Sequence, residues 1–382
     1  MSAGLLVLLS PTAGQAAAPA AGTTSASVEA TVTSELLERA RGIAGYHDHT
    51  ADQTRVTVTK RSGRTWAFGT AILLAPHEEG VYPEGWLFLA KRSIKGWQVA
   101  FEDDAAFATL AAAAPLLGRQ ERANLTSASS EVSPSYANGD YRTGMRLPFA
   151  TGVSWTLTGG PHSSPVWSSI DMAGGDQVVR AARGGTAYTM CKGWLRVIHD
   201  RGYATDYYHL WNNISVNGAA VAAGARLGDT GTDVTCGGSA TGRHVHFALR
   251  QNNAFVPIQY HIIGKWIIYA GSSAYGGYAM HGSTRVNVGG ALYNYGALGF
   301  DQGIVDTNGG TSLNKRSGPG TSYSIVGSVA DGATVTIVCS KNGTTHTGRF
   351  GSTSLWNKLS DGSWVSDAYL ATGSNGPVSG YC

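Results

Sequence analysis

The sequence predicts a mainly β protein of several domains, with an α+β unit at its N-terminal end. With 382 residues, the chain is too long for one domain with a single core, because a typical domain contains about 150 residues. The chain has 52 Gly, 17 Tyr and 10 Trp but only 14% charged residues, which is typical of short strands joined by tight turns. A net charge of +3 is too small for this length to indicate nucleic acid as a partner.

Residues 1–18 combine a short apolar core with a tract of small residues that ends in three alanines. This pattern is typical of a secretory signal peptide, although the usual basic residues before the apolar core are missing. The core is far shorter than the roughly 20 apolar residues that cross a bilayer, so no membrane span is expected. We therefore expect a secreted, extracellular protein.

Residues 19–134 are expected to form a separate unit followed by a linker. A helix over 34–43 precedes strand candidates with alternating polarity, at 54–60, 64–74, 85–91 and 96–101. Residues 118–134 are polar and lack apolar periodicity, which predicts the linker. Nothing in this part of the sequence has a catalytic pattern.

The four cysteines allow three disulfide connectivities. Local pairing of Cys191 with Cys236 and of Cys339 with Cys382 is favoured, because each bridge then closes within one module in an oxidising compartment. A zinc site built from these thiols is the alternative. No two cysteines stand at the close spacing that structural zinc prefers, which argues against it.

Candidate site residues cluster between 135 and 280. His244 and His246 stand two positions apart in an apolar, strand-forming sequence, so on a strand they point to the same face. Taken alone, two histidines on the wet face of an ordinary strand would be the simpler interpretation. Upstream, a Gly-Pro turn presents His162, and a short strand after it ends at Asp171.

His162, Asp171 and His246 make a set of two histidines and one carboxylate. Three such ligands leave the fourth tetrahedral position of Zn²⁺ open for water, as a catalytic site requires. Iron(II) oxygenases use the same ligands, but their close His-x-Asp spacing is absent. His209 follows in an aromatic β-type run, where a buried core imidazole is the alternative to an active-site role. No H-E-x-x-H motif is present, so a histidine has to serve as the base.

These blocks resemble the lysostaphin-type zinc endopeptidases, most of all the staphylolysin and β-lytic branch. The resemblance spans roughly 140–278 and includes Tyr207-Tyr208-His209 and Gly242-Arg243-His244-Val245-His246-Phe247. It implies an antiparallel β metallopeptidase domain over 135–280 that binds one Zn²⁺ per chain. The implied residue roles are zinc ligation by His162, Asp171 and His246, paired catalysis by His209 and His244, and a place near the site for Tyr275.

The end of the chain resembles a second family. After a linker over 281–303, residues 304–382 contain Arg316-Ser-Gly-Pro-Gly320 and Trp364-Val-Ser-Asp-Ala-Tyr-Leu370, which look like a bacterial SH3-like domain. A small SH3-like β-barrel of short strands and glycine turns is expected here. The aromatic candidates for a groove that binds wall peptides are Tyr323, Trp356, Trp364 and Tyr369, with the barrel core as the alternative for Trp364.

Together the resemblances imply a secreted, monomeric zinc endopeptidase that hydrolyses peptide cross-bridges of bacterial peptidoglycan at Gly- or Ala-containing bonds. The SH3-like domain would target it to the wall, and residues 19–134 would be a pro-region that covers the site until it is removed. The alternative is a catalytically inactive wall-binding scaffold on the same fold. The presence of all five histidine and aspartate residues argues against that alternative.

Overall fold

The computed structural model describes Met1 and residues 26–127, 133–163 and 165–382. The predicted signal peptide, apart from Met1, lies outside the described residues, as does part of the expected linker before residue 135. In the described ranges, no helix is long and apolar enough to cross a bilayer. Strands make up most of the regular structure of the described residues, so the mainly β, multidomain fold is confirmed.

The N-terminal unit packs helices on a four-stranded antiparallel sheet with the order β1-β2-β3-β4. Helix α1 buries Val28, Val32, Leu36 and Ala40, which share one helix face because they are four residues apart. The predicted strands are confirmed, whereas the helix begins at Val28 rather than Ser34. The elements are α1 (Val28–Ala40), β1 (Thr54–Ser62), β2 (Trp66–Leu73), β3 (Glu84–Ser93), β4 (Gly96–Phe101), α2 (Ala105–Ala113) and α3 (Arg119–Ser127).

Helix α3 differs from the sequence-based expectation, which predicts a linker over 118–134. Its Glu121 is buried and accepts hydrogen bonds from Lys60 Nζ, at 2.6 and 2.7 Å, and from the Tyr188 hydroxyl, at 2.9 Å. Leu125 is buried on the same helix. These tertiary contacts order a polar segment that shows no apolar periodicity of its own.

The middle of the chain forms a nine-stranded antiparallel sheet, a five-stranded sheet and a two-stranded ribbon. The nine-stranded sheet has the order β12-β9-β10-β11-β14-β7-β6-β20, with β15 beside β14. The strands are β5 (Arg142–Met145), β6 (Ser154–His162), β7 (Ser169–Ala173), β8 (Val178–Arg180), β9 (Gly185–Cys191), β10 (Trp194–Ile198), β11 (Tyr203–Tyr208), β12 (Asn217–Val221), β13 (Arg226–Asp229), β14 (Val245–Gln251), β15 (Ala254–Phe255), β16 (Ile262–Ile263), β17 (Trp266–Ala270), β18 (Gly277–His281), β19 (Thr284–Asn287) and β20 (Ala291–Tyr293).

The two faces of the nine-stranded sheet have different partners, since successive side chains on a strand alternate between faces. Tyr207 and Phe247 point into the large core of the middle unit. Their neighbours Tyr208 and His246 pair across the same two strands and point to the other face. There, Tyr208 belongs to a core that also contains Phe68 of the N-terminal unit. The N-terminal unit therefore packs on the face that displays His246.

The segment 281–303 also differs from the expected linker. Strand β20 adds to the edge of the nine-stranded sheet, where Leu292 pairs with Trp155 and is fully buried. Strand β19 pairs with β18 in the five-stranded sheet. Strands of three or four residues are too short to show a period in the sequence.

The C-terminal unit is a seven-stranded sheet with the order β23-β22-β26-β25-β24-β21-β27. Its core contains Val305, Ile337, Leu359 and Val365. The identity of this unit as an SH3-like domain stays a prediction. The strands are β21 (Gln302–Val305), β22 (Ser312–Arg316), β23 (Ile325–Ala330), β24 (Thr334–Gly348), β25 (Gly351–Leu359), β26 (Trp364–Ser366) and β27 (Leu370–Ala371).

Both favoured disulfides are confirmed. Cys191 pairs with Cys236 across 45 residues, and Cys339 pairs with Cys382 across 43 residues. A disulfide that closes a loop of this length lowers the entropy of the unfolded chain. In the chain-entropy model, each bridge thereby stabilises the fold by about 4 kcal/mol. The thiol zinc site is thereby excluded, because all four sulfurs are used.

Candidate metal centre

Three neighbouring strands of the nine-stranded sheet bring His162, Asp171 and His246 together. His246 on β14 pairs directly with Asp171 on β7, and His162 stands at the end of β6 beside them. His162 is thus on a strand rather than in the expected Gly-Pro turn. The strand passes close to the loop before β18, where a Cβ atom on Gly160 would approach the Gly276 carbonyl oxygen to 2.2 Å. Only glycine fits at position 160.

The ligand atoms of these residues have the spacing of a tetrahedral metal site. His162 Nε2 lies 3.1 Å from His246 Nδ1 and 3.4 Å from Asp171 Oδ1, and His246 Nδ1 lies 3.2 Å from Asp171 Oδ1. Ligands bound to Zn²⁺ at about 2.0–2.1 Å in tetrahedral geometry are about 3.3 Å apart. The donor set therefore fits Zn²⁺ without rearrangement.

Hydrogen bonding and burial prepare these groups for a cation. His162 Nδ1 lies 2.8 Å from the Gly160 carbonyl oxygen, which can only accept, so Nδ1 donates and Nε2 presents a lone pair. Burial acts to raise the pKa of Asp171, but His162 and His246 outweigh it and hold that pKa well below its usual range. Burial lowers the pKa of His246 to about 4, so its imidazole is neutral at neutral pH. An ionised carboxylate and neutral imidazoles are the forms that bind metal.

A second pair of histidines lies beside this donor set. The rings of His209 and His244 are 4.8 Å apart, and His244 Nε2 is 3.8 Å from Asp171 Oδ1. His209 Nδ1 lies 3.0 Å from the Asp233 carbonyl oxygen and His244 Nδ1 lies 2.7 Å from the Gly242 carbonyl oxygen. In both residues Nδ1 therefore donates, and Nε2 is the atom left to exchange a proton.

His209 is the more buried member of the pair. Its Nε2 is buried and has no hydrogen-bond partner among the described residues. Burial, followed by the neighbouring His244 and His246, lowers the pKa of His209 to about 3. An unpaired lone pair in a buried site is costly unless a bound molecule occupies it. The geometry leaves this atom available to a substrate or water.

The rings of Tyr275 and Tyr82 cover two of the candidate metal ligands. The Tyr275 ring stacks on His162 at 4.1 Å, and the Tyr82 ring stacks on His246 at 4.1 Å. Their hydroxyl groups are hydrogen-bonded at 2.9 Å. Tyr275 was expected near the site from the sequence, but Tyr82 was missed, because a single tyrosine in the loop before β3 has no pattern that distinguishes it.

The structure thus brings all six predicted site residues, from His162 to Tyr275, into one place. The sequence matches no protein-family model. It is 32% identical over 139 residues to the β-lytic metalloendopeptidase of Lysobacter enzymogenes, and the match covers 32% of this chain and 75% of that protein. The chain belongs to the lysostaphin-type metalloendopeptidases.

Two further proteins are similar to parts of this chain. Protease LasA of Pseudomonas aeruginosa is 36% identical over 150 residues, which are 34% of this chain and 35% of LasA. The chain thus spans about a third of the length of LasA. A solved structure of the M23 metalloprotease pseudoalterin is 31% identical, with a TM-score of 0.37, and the match covers 39% of this chain and 97% of that one.

Proposed function

We propose that this member of the lysostaphin-type family is a secreted zinc endopeptidase that cuts peptide cross-bridges of bacterial peptidoglycan. The observation that supports it best is the donor set of His162, Asp171 and His246, whose three ligand atoms are 3.1 to 3.4 Å apart. These residues hold the metal. A bound Zn²⁺ would polarise the scissile carbonyl group and activate a water molecule for attack.

The remaining residues transfer protons and contact the substrate. His209 takes a proton at Nε2, since its Nδ1–H is committed to the Asp233 carbonyl oxygen. His244, the less buried of the two, takes up a proton from solvent at Nε2 and passes it to the leaving amine. Tyr275 stacks on His162 and its hydroxyl hydrogen-bonds to the Tyr82 hydroxyl, so it is free to donate to the substrate once Tyr82 has left.

The substrate segment is glycine- or alanine-containing peptide. Gly159 and Gly160 are buried beside the candidate ligands, where side chains on them would collide with Asp171 and with the Gly276 carbonyl oxygen. Glycine backbone beside the candidate ligands offers no side chain to hold a large residue next to the cut bond, which favours Gly or Ala there. Mass spectrometry of fragments released from walls with pentaglycine bridges and from walls with direct cross-links tests this choice.

The N-terminal unit keeps the enzyme inactive as a pro-region. Tyr82 lies on the ring of His246 and within 5.7 Å of the ring of His162, in the space that a substrate would need. Removal of residues 19 to about 134 therefore opens the site.

The C-terminal unit binds the wall through a groove of about 240 Å³. Trp356 and Tyr369 line it, together with Arg316 and His346, which favours a peptide with both apolar and polar groups. Two of the predicted groove residues, the buried Trp364 and the exposed Tyr323, do not line this groove.

The division of roles is tested by two variants of the chain after the N-terminal unit has been cut. His246→Ala should lose both zinc and wall hydrolysis, because it removes a ligand. His209→Ala should keep one zinc per chain by metal analysis and lose roughly a hundredfold to ten-thousandfold in rate, the contribution of a proton carrier. Arg285→Ala, at an exposed position on β19 of the remaining chain, is the control and should keep both. Equal loss of zinc in the His246 and His209 variants would falsify this division.

A further inference from the structure

A group of buried charges lies on the same sheet face as the metal centre, farther along the strands. Arg196 on β10, Asp206 on β11 and Arg250 on β14 come from three adjacent strands. Arg250 is on the same face as His246 because they are four positions apart on one strand. At about 3.3 Å per residue, the two Cα atoms are about 13 Å apart.

The N-terminal unit supplies the partner of these arginines. Glu102, just after β4, is buried, and its Oε1 accepts hydrogen bonds from Arg196 Nη1 and from Arg250 Nη2, the latter at 3.3 Å. Arg196 binds Asp206 of its own sheet through its other nitrogens, at 2.7 and 2.8 Å. Two guanidinium groups thus converge on one oxygen that belongs to the covering unit.

Removal of the N-terminal unit changes the balance of charge on this face. Asp206 remains bound to Nε and Nη2 of Arg196. Glu102 leaves with its unit, so Arg250 Nη2 and Arg196 Nη1 lose the carboxylate that accepts their hydrogen bonds. The nearby Glu84, also of the N-terminal unit, leaves with it. The uncovered face then has two guanidinium groups and one carboxylate, on the same side of the sheet as the candidate metal ligands. Guanidinium groups arranged in this way recognise carboxylates.

We propose that Arg196 and Arg250 form a carboxylate-binding subsite of the substrate groove, which Glu102 occupies while the N-terminal unit is in place. The subsite rests on the proposed peptidase function. Its ligand is a peptide with an acidic side chain or a free carboxylate about four residues from the cut bond, the number of extended residues that spans about 13 Å. Glu102 thereby occupies the place of a substrate group.

Carboxylate binding is tested first in the intact chain. Glu102→Ala leaves a space between the two arginines that matches acetate, since the substitution removes the terminal CH₂ and COO⁻ groups. Acetate should raise the Tm of Glu102→Ala by several degrees more than that of the unsubstituted chain, and acetamide, its neutral analogue, should not. An equal response to acetate in both proteins would overturn the subsite.

The second measurement uses the chain cut at Glu131 and a set of labelled glycine-rich peptides, each with one Glu at a different position, beside an identical set with Gln. Glu at one position, about four residues from the cut, should lower KM roughly tenfold relative to Gln, as charged hydrogen bonds do. Arg250→Gln should abolish this preference. The substitution is made together with Glu102→Gln, so that no buried carboxylate loses its partner.

Arg285→Gln, combined with the same Glu102→Gln, is the matched control and should keep the preference, because Arg285 lies on the exposed hairpin β18–β19. Hydrolysis of every peptide without a Glu preference would overturn the subsite and leave the peptidase proposal standing. Failure to hydrolyse any peptide would contradict the peptidase proposal, while the acetate measurement still decides whether the arginines bind a carboxylate.

Discussion

The N-terminal and C-terminal units both contact the middle unit, but in different ways. The N-terminal unit shares an extensive core with the sheet face that displays the metal ligands, including Phe68 and Leu87 on its side and Trp194 and Tyr208 on the other. The C-terminal unit shares a smaller core, in which Ile304 packs with Ile262 and Ile267. None of these three residues lines the groove of the C-terminal unit.

This difference supports the two tasks that we propose for these units. A unit whose core is continuous with the metal face blocks that face as long as it remains folded in place, and each large side chain buried there contributes roughly 1.5–3 kcal/mol. A unit attached by a small core away from the metal face leaves both the site and its own groove accessible. The first arrangement suits control of activity, and the second suits targeting.

The largest expected effect concerns the N-terminal unit. Proteolytic cleavage between 128 and 132 should raise hydrolysis of cell walls at least a hundredfold, since a covering unit that leaves about 1% of molecules open lowers the rate by that factor. Turbidity of a wall suspension before and after cleavage measures it. Full activity of the uncut chain would contradict the inhibitory role and would leave the metal centre untouched.

Substitution of Tyr82 separates the stacked ring from the rest of the unit. In the uncut chain, Tyr82→Ala should raise peptide hydrolysis, by less than cleavage does, because it removes the ring from His246. Tyr82→Phe keeps the stacked ring and loses only the hydrogen bond to Tyr275, so its activity should stay close to that of the unsubstituted chain. Identical rates for the two variants would show that the ring itself does not block the site.

A smaller effect is expected at the C-terminal groove. Tyr369→Ala should weaken binding to intact walls about tenfold, the typical cost of truncating an aromatic residue at the centre of a binding site. Hydrolysis of a short soluble peptide by the cut chain should not change. Tyr323→Ala is the control for a nearby exposed aromatic residue, and sedimentation with walls measures both variants. A loss of soluble-peptide hydrolysis in Tyr369→Ala would show that the two units are not independent.

The smallest effect is a pH dependence of the N-terminal interface. Burial raises the pKa of Glu84 to about 7, against the opposing effect of Arg250 and Arg196. The folded chain then binds this proton more tightly than the unfolded chain, so the stabilisation is complete below about pH 4.5 and is lost as the pH rises to about 7. Relative to Glu84→Gln, the free energy of unfolding should fall by on the order of 1 kcal/mol between pH 4.5 and 8. Denaturant unfolding of both proteins measures the difference, and parallel curves would contradict it.

Much of the site follows from the sequence because its residues stand in local patterns. The His-x-His spacing puts His244 and His246 on one side, and the blocks around His162 and His209 match a family whose site uses those residues. The four N-terminal strands follow from their alternation of polar and apolar residues. Helix α3 and strand β20 could not be found in this way, because one is a polar segment and the other a three-residue strand, both ordered by contacts with distant residues.

The sequence by itself determined the fold class, predicted the residues of the candidate metal centre and favoured one of three pairings of the cysteines, since each depends on residue type and on spacing along the chain. Only the tertiary structure decided that Tyr82 lies on His246 and that Glu102 lies between Arg196 and Arg250. These contacts join residues that are more than 90 positions apart in the chain. Their partners are chosen by how two folded units pack, and no local period in the sequence records that choice.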